Sequence, residues 1–490
     1  MNNSDLTTLK KLLSSYREWL ISRHLGETFA LNSNEIEIEA APEKVLFSFI
    51  NDRGFQTWRI IEIEFEGSKI LLLLTRNFGT ENERFVLVPR TKAEEFGETV
   101  ELARLVTANR IADLLTAEYP GIKLKRVELN RENGRFAQIT IEDMNSVRKA
   151  AIADVSGSLS PEILLSSAAV WLTRLGSRKK DPIEEIWILS ETSVAKKLRK
   201  LHACLTEKWK NKIRIYSITS GNSDRKISQA GQLNIGGLWR YKPKKLSIAV
   251  NKDLSNTARR ILELAPKKID HIFSGNGETL RYLGLPFLRT RKISGEETTW
   301  YGSDRSRQLL NEDSFEEFYE FFARLQKYRT AKTPNPQHIF FQMAPEAWLE
   351  SMLRQNIKLL DANLILSPIY NQFRTSQDKI DLLALRKDGR LVIIELKVFA
   401  DREMIYQAVD YWRKIELQRR KGDLNKANLF GELEIADKPA IVYLVAPTLS
   451  YHRDLQFLSK TISSEIEIFR FDLAENWREG VKVLRRRRGA

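Results

Sequence analysis

The apolar positions in the first third of the chain change their period, and each period predicts a type of element. Within residues 1–30 they recur at helical spacing and predict a helix, with Leu9, Leu12, Leu13, Tyr16 and Leu20 on one face. Residues 35–88 alternate or form short β-branched and aromatic runs separated by turn residues, which predicts strands. Helical spacing returns over 91–118. The sequence therefore predicts one helix, a β-rich region and further helices.

The middle third alternates between strand and helix patterns. Strand patterns at 136–141, 186–189 and 213–216 are separated by helix patterns at 160–175 and 192–209. The first of these helices begins with Ser160, Pro161 and Glu162, a capping residue followed by proline. This β–α–β–α–β order predicts a small domain with a parallel sheet. A last helix is predicted over 305–329, with an apolar stripe that packs into a core.

Residues 330–338 (TAKTPNPQH) contain two prolines and show no periodicity, so we interpret them as a linker. The pattern then predicts a helix from Pro345, strands at 379–385 and 390–397, a helix with Gln407 and Tyr411 on one face, and a strand at 440–445. The predicted fold class is a multidomain α/β protein. Its predicted domains are a β-rich N-terminal region (1–135), a basic α/β middle domain (136–329), the linker (330–338) and a C-terminal α/β domain (339–490).

Charge is concentrated in one region of the chain. The 490 residues carry a net charge of +15, and residues 174–252 alone contain 19 Lys or Arg against 6 Asp or Glu. Aromatic residues lie among these cations, which is typical of nucleic-acid contact, although a solvated basic surface explains the charge equally well. The candidate contacts are Lys196, Lys197, Arg199, Lys200, Lys208, Lys210, Arg240, Lys242, Lys244 and Lys245. The four arginines at 485–488 are expected to form a disordered, solubilising tail.

Composition excludes several classes of protein. A single cysteine, Cys204, excludes an intrachain disulfide and a four-cysteine zinc site, and it suits a reducing compartment. No apolar run approaches the roughly 20 residues that span a bilayer. The N-terminus lacks a basic segment followed by an apolar one, so no export signal is expected. These features predict a cytoplasmic protein that does not enter a membrane.

The strands at 379–385 and 390–397 bring three charged residues together if they form a hairpin. Glu395 and Lys397 are two residues apart and share a face of their strand. Asp381 opposes Glu395 only if the connecting loop has an odd number of residues. We therefore predict a three-residue turn, Lys387, Asp388 and Gly389, with the glycine in the left-handed conformation of a bulge.

Two carboxylates and an ammonium on otherwise apolar strands indicate a catalytic or metal-binding site. A surface charge pair at a strand end is the simpler interpretation, but the apolar run 391–394 places Glu395 at the buried end of its strand. Burying two like charges is costly unless a cation joins them. Oxygen ligands suit Mg²⁺ or Mn²⁺, and Lys397 could position the attacking water or stabilise charge on a phosphate.

The pattern Asp381-x13-Glu395-x-Lys397 resembles the PD-(D/E)XK nuclease superfamily. The order of elements resembles its restriction-endonuclease-like αβββαβ core, and Gln407-x3-Tyr411 resembles the RecB-like branch. The spacing from Asp to Glu resembles NucS-type endonucleases, and 345–412 resembles an uncharacterised bacterial group. Ile380 stands where the superfamily motif has proline. The resemblance covers about residues 338–484.

The resemblance implies roles for individual residues. Asp381 and Glu395 would bind the metal, and Lys397 would act on the water or the transition state. Gln407 and Tyr411 would support the site or contact the DNA backbone. A helix glutamate would join the metal side, and Glu346 and Glu350 both fit.

These observations favour a divalent-metal-dependent DNA endonuclease acting in DNA repair or defence. DNA is the expected partner, with RNA kept open, and a homodimer is a possible assembly. The alternative is a catalytically inactive protein that binds nucleic acid or a partner through a nuclease-like fold.

Overall fold

The computed structural model describes residues 3–23, 27–41, 44–51, 54–76, 81–220, 225–243, 254–274, 277–293, 296–302, 308–366 and 381–489. The chain divides into two compact units. The first contains Met1–Arg199 and Lys208–Gln232, and the second contains Lys200–Glu207 and Leu233–Ala490. Among the described helices, none combines the length and apolar character needed to cross a membrane.

The first unit begins with a helix and a seven-stranded antiparallel sheet of order β2-β1-β7-β6-β5-β4-β3. These elements are α1 (Asn3–Ser15), β1 (Glu18–Arg23), β2 (Glu27–Asn32), β3 (Ile36–Ala41), β4 (Lys44–Asn51), β5 (Gly54–Glu66), β6 (Lys69–Arg76) and β7 (Glu81–Pro89). The predicted helix over 1–30 is therefore too long. From Glu18 burial alternates with period two and places Trp19 and Ile21 in the core, which is the pattern of a strand.

A second sheet follows in the first unit, with order β13-β12-β11-β10-β9-β8. Its elements are α2 (Ala93–Glu118), β8 (Lys123–Leu129), β9 (Phe136–Glu142), β10 (Arg148–Asp154), α3 (Pro161–Gly176), β11 (Ile186–Glu191), α4 (Thr192–His202), α5 (Glu207–Lys212), β12 (Ile213–Ser220) and β13 (Arg225–Gln229). The central strands β10, β11 and β12 are parallel and are joined by helices, as predicted. The prediction missed the alanine-rich strand β10. The predicted strand at 136–141, β9, pairs antiparallel with β10 and does not belong to the parallel set.

The second unit contains a five-stranded antiparallel sheet of order β14-β15-β16-β17-β18. The elements of this part are α6 (Ile235–Leu238), α7 (Asn256–Leu262), β14 (Ile269–Ser274), β15 (Gly277–Tyr282), β16 (Leu285–Ile293), β17 (Glu296–Tyr301), β18 (Gln308–Leu309) and α8 (Phe315–Tyr328). The helix predicted over 305–329 begins only at Phe315, because 308–309 pair with β17. Its apolar stripe is buried as predicted, at Phe318, Phe322 and Leu325.

The rest of the second unit is a six-stranded sheet of order β19-β20-β21-β22-β23-β24. Its elements are α9 (Ile339–Gln342), α10 (Pro345–Gln355), β19 (Leu364–Leu366), β20 (Leu382–Arg386), β21 (Leu391–Leu396), α11 (Met404–Arg420), α12 (Asp423–Lys426), β22 (Ile441–Pro447), α13 (Leu455–Ser459), β23 (Glu467–Leu473) and β24 (Val483–Arg488). Strands β21, β22 and β23 are parallel. The sequence α10, β19, β20, β21, α11, β22 has the αβββαβ order that the resemblance implied, although the apolar pattern did not locate β19. Helix α11 packs against β21 and β22.

The hairpin of β20 and β21 has the predicted register. Leu382 opposes Ile394 and Leu385 opposes Leu391, so Asp381 lies opposite Glu395. The turn contains three residues, and Gly389 adopts a φ of 78°. Its N–H donates to the carbonyl of Arg386 at 2.8 Å, which closes the turn.

The arginine-rich C-terminus is a strand and not the expected disordered tail. β24 pairs antiparallel with β23 along 485–488. The Arg486 guanidinium covers the rings of Phe469 and Phe471, and Arg487 and Arg488 pair with Asp472 and Glu467. Acidic and aromatic residues on the neighbouring strands thus order a segment whose composition alone indicated disorder.

The predicted linker 330–338 lies inside the second unit. One hydrophobic core runs through both sides of it, from Tyr282 and Phe322 to Trp348 and Ile394. Arg329, which is fully buried, donates to the carbonyl oxygens of Tyr282, Leu283, Phe340, Met343 and Ala344 at 2.7–3.2 Å. A segment that looks like a linker is therefore fixed at both ends.

We expect Arg329→Met to lower the free energy of unfolding by about 3–5 kcal/mol, the usual cost of breaking a buried charged network. Burial and the nearby Arg478 lower the pKa of Arg329 to about 9, so the side chain is still a cation at neutral pH. Its loss leaves five carbonyl groups, those of Tyr282, Leu283 and Phe340 in buried surroundings, without these donors. Urea unfolding of the full-length variant measures the effect. A loss below about 1 kcal/mol would show that these hydrogen bonds contribute little.

Candidate functional site

Three segments of the second unit bring charged residues together at one end of its six-stranded sheet. Asp381 immediately precedes β20, Glu395 lies near the end of β21, and Lys397 follows that strand. The Lys397 ammonium lies 3.4 Å from Glu395 Oε1. Asp381 Oδ2 accepts the N–H of Leu396 at 2.8 Å, which directs this carboxylate towards β21. The structure therefore brings together the three residues that the hairpin geometry predicted.

Glu395 is the most deeply placed acid of this group. It is 2% exposed, and its buried Oε2 atom has no hydrogen-bond partner among the residues that the structure describes. Burial raises the pKa of Glu395 well above its usual range, and the Asp381 and Glu346 carboxylates raise it further, while Lys397 opposes them. The side chain thus holds a buried acceptor oxygen in surroundings that disfavour its own negative charge.

Lys397 remains a cation despite its burial. Burial lowers the pKa of this ammonium, but the surrounding carboxylates of Glu395, Glu346, Asp401 and Asp381 outweigh that effect and raise it. The ammonium lies between Glu395 and Asp401, with 3.1 Å to Asp401 Oδ2. A lysine in this state can stabilise negative charge but is a poor proton acceptor.

The sequence analysis missed Asp401 and Glu403. Asp401 Oδ1 accepts the backbone N–H of Glu403 at 2.7 Å just before α11, while Oδ2 faces Lys397. Burial and a hydrogen bond with Asp401 raise the pKa of Glu403 to about 7. The spacing Lys397-x3-Asp401 was the available signal, but a loop residue four positions away has no fixed direction until the loop is seen.

The structure separates the two helix glutamates. Glu346, in the first turn of α10, lies close enough to Glu395 and Lys397 to shift the pKa of both. Glu350 is 1% exposed and instead faces Arg281, whose Nη1 lies 3.3 Å from Glu350 Oε1. Both fitted the sequence pattern, so the distinction depends on the packing around α10.

Gln407 and Tyr411 lie one turn apart on α11, and both are partly exposed. Lys414 Nζ lies 5.6 Å from the centre of the Tyr411 ring. Asp410 pairs with Lys414 at 2.6 Å and with Arg413. This helix therefore presents an aromatic ring beside cations.

The basic candidates belong to different units. In the first unit, Lys196, Lys197 and Lys208 are exposed, Arg199 is partly exposed, and Lys210 is buried at 7% exposure, which disfavours a phosphate contact. In the second unit, Arg240 and Lys242 are exposed, and Lys200 Nζ lies 4.1 Å from the centre of the Tyr241 ring. Lys244 and Lys245 lie outside the described residues.

We expect Asp401→Asn to slow any reaction that depends on Lys397 by about tenfold, equivalent to about 1.4 kcal/mol. The variant keeps the shape of the side chain and removes the charge that holds the ammonium at 3.1 Å. Reaction rates at saturating substrate, measured beside Asp410→Asn as a control on α11, test this. An equal effect of the two substitutions would mean that Asp401 has no particular link to Lys397.

The donor atoms of the site suit a hard divalent cation. Within the described ranges, no group of three or more His, Cys, Asp or Glu side chains could hold a metal ion by itself. Mg²⁺ usually takes one or two protein carboxylates and completes its shell with water and substrate oxygens. Asp381 and Glu395 provide such a pair, and the buried Glu395 Oε2 supplies an available acceptor.

Comparison with known proteins gives limited similarity. No family model and no curated protein matches the chain. Among solved structures it is similar to EndoMS in apo form (12% identity, 45% of this chain and 96% of that chain, TM-score 0.18). A repair endonuclease from Pyrococcus abyssi gives 12% identity, 45% and 97% coverage and a TM-score of 0.17. An EndoMS–dsDNA complex is 13% identical, with 40% of this chain and 89% of that chain covered and a TM-score of 0.14. TM-scores this low do not establish a common fold.

Proposed function

We propose that the protein is a divalent-metal-dependent endonuclease that hydrolyses phosphodiester bonds of DNA. Its active site would lie where β20 begins and β21 ends. The observation that carries this proposal is the buried Glu395 carboxylate, which lies with Asp381 and Lys397 where two apolar strands begin and end. Buried charges of this kind usually lower stability, so their presence is better explained by a function than by folding.

Asp381 and Glu395 would hold Mg²⁺ or Mn²⁺, with the charge of Glu346 nearby. When bound, such an ion polarises the phosphate and lowers the pKa of an attacking water molecule. The pKa of Glu395 is raised first by burial and then by repulsion from Asp381, and the charge of the same ion would offset both effects.

Lys397 would stabilise the negative charge that develops on the phosphate during attack. Its raised pKa favours this role over that of a proton acceptor. Asp401 would hold the ammonium together with Glu395, since the two carboxylates lie 3.1 Å and 3.4 Å from it.

The DNA backbone would bind along α11 of the second unit, where Gln407 and Tyr411 are accessible. Lys200 supports this assignment. Its pKa is lowered first by burial and then by the charge of Arg413, so this lysine lies near the cations of α11. Clustered cations attract phosphates, and aromatic rings such as Tyr411 can stack against bases.

The proposal is tested by incubating the full-length protein with linear, circular, single-stranded and branched DNA in Mg²⁺, Mn²⁺ or EDTA. We expect cleavage with either metal and none in EDTA, and opening of circular DNA identifies an endonuclease. Binding to DNA without cleavage under every metal condition would contradict the enzyme and support a nuclease-like binding protein.

A further inference from the structure

Helix α10 carries Glu346, and its position is set by a part of the second unit that lies outside the six-stranded sheet. That part consists of β14–β18 and α8. Tyr282 and Phe287 from it share a core with Trp348 and Leu353 of α10. Apolar packing holds the helix against this body, but it does not by itself fix the rotation of the helix about its axis.

A buried ionic network supplies the first directional contact. Arg281 on β15 is 2% exposed. Its Nε and Nη2 atoms donate to the two oxygens of Asp270 on β14 at 2.9 and 2.7 Å, and Nη1 lies 3.3 Å from Glu350 Oε1 on α10. The planar guanidinium thus has its fork occupied by Asp270 and one remaining nitrogen directed at the helix.

A second contact supports the one between Arg281 and Glu350, because Arg354, one turn after Glu350, also approaches Asp270. Its Nη1 atom lies 3.7 Å from Asp270 Oδ2. Two charged residues on the same side of α10 are therefore tied to the same pair on β14 and β15. Glu346 lies one turn before Glu350, so this face of the helix continues towards Glu395 and Lys397.

The start of α10 is held by two further contacts. Arg329 donates to the carbonyl oxygens of Met343 at 2.7 Å and Ala344 at 3.2 Å, just before the helix begins. The turn between β15 and β16 touches the helix backbone at Gly284, whose φ is +81°. A Cβ atom there would lie 1.9 Å from the carbonyl oxygen of Ala347, so only glycine fits.

We propose that Arg281 is a positioning residue of the nuclease centre, which acts through Glu350 to hold α10 at the rotation that directs Glu346 towards Glu395 and Lys397. The inference rests on the proposed function and adds to it: the five-stranded sheet, through Arg281, helps to set the geometry of the catalytic centre. Arg329 serves the same purpose at the start of the helix, but the large loss of stability expected on its substitution makes it a poor probe of positioning.

A double-mutant cycle tests the proposal because it separates positioning from general loosening. Arg281→Lys keeps the charge and removes the fork, and it is compared in the wild-type and Glu346→Gln backgrounds. We expect Arg281→Lys to reduce the single-turnover cleavage rate about tenfold in the wild type and less than twofold beside Glu346→Gln, with DNA affinity unchanged. Equal losses in both backgrounds, or no loss, would overturn the proposal.

Two further variants keep the result interpretable. Arg390→Lys alters a comparable arginine just before β21, whose Nη1 lies 2.8 Å from Glu467 and whose other nitrogens donate to the Pro439 carbonyl. It should not show the dependence on Glu346. If Arg281→Lys does not fold, Glu350→Gln replaces it, because it weakens the same contact from the helix side.

A readout that does not need catalysis separates failure of this inference from failure of the proposed function. The Mn²⁺-dependent rise in melting temperature should shrink in Arg281→Lys but not change further when Glu346→Gln is added. If the wild type binds Mn²⁺ but cuts no DNA, the proposed function fails while this comparison still decides the role of Arg281. If the wild type shows neither, there is no centre to position and both proposals are overturned.

Discussion

Lys397→Met is expected to reduce the rate of DNA cleavage by about 10²–10³-fold, the range seen when one charge-stabilising group is removed from an active site. The ammonium lies 3.4 Å from Glu395 and 3.1 Å from Asp401, and the surrounding carboxylates keep it protonated. Methionine fills a similar volume without the charge. Single-turnover cleavage at saturating metal measures the loss, and thermal unfolding confirms that the variant is folded.

Lys387→Met is the matched control, because it makes the same substitution at an exposed position in the turn of the same hairpin. We expect its cleavage rate to stay within twofold of the wild type. DNA affinity should be similar in both variants, since the Lys397 side chain is only 13% exposed and contributes little to the initial encounter. Cleavage by Lys397→Met at the wild-type rate would exclude this residue from the reaction.

Glu395→Gln is expected to abolish cleavage while it stabilises the metal-free protein by about 1–3 kcal/mol, the usual cost of an unsatisfied buried polar group. The wild-type carboxylate is 2% exposed, and its pKa is raised chiefly by burial and then by Asp381. An acid whose pKa is higher in the folded state destabilises that state as the pH rises through the unfolded-state and then the folded-state pKa. The gain should therefore be largest at alkaline pH and fade in acid.

Glu350→Gln is the comparison variant, because it should change the free energy of unfolding in the opposite direction. Glu350 is as buried as Glu395, but it faces Arg281, so its neutralisation should lower the free energy of unfolding. Urea unfolding in EDTA at pH 5 and pH 8 distinguishes the two substitutions. Destabilisation by Glu395→Gln at pH 8 would mean that Glu395 is held by structural partners and would remove the main argument for a metal there.

The local geometry of the hairpin could be predicted because it depends on few variables. Side chains on a strand alternate, so an odd loop places Asp381 opposite Glu395, and Gly389 permits the required turn. The period of two and the turn residues are both visible in the sequence. Asp401 was missed because the loop that directs it towards Lys397 has no such regularity.

Features that depend on distant partners could not be predicted in the same way. The segment 330–338 has the composition of a linker, and only Arg329 and its bound carbonyl groups show that it is fixed. The arginines of β24 suggest disorder until Phe469 and Asp472 are seen on the neighbouring strand. The choice between Glu346 and Glu350 likewise required the position of Arg281.

The central claim is that Asp381 and Glu395 together bind one divalent cation, and Mn²⁺ binding measured by electron paramagnetic resonance tests it most directly. The full-length wild type, Asp381→Asn and Glu395→Gln are titrated with Mn²⁺ in the absence of DNA, with Asp410→Asn as the control because Asp410 pairs with Arg413 and Lys414 on α11. The account predicts that the wild type and Asp410→Asn bind Mn²⁺ equally and that each of the other two variants binds at least tenfold more weakly, a difference of about 1.4 kcal/mol. Undiminished binding by Asp381→Asn and Glu395→Gln would contradict it.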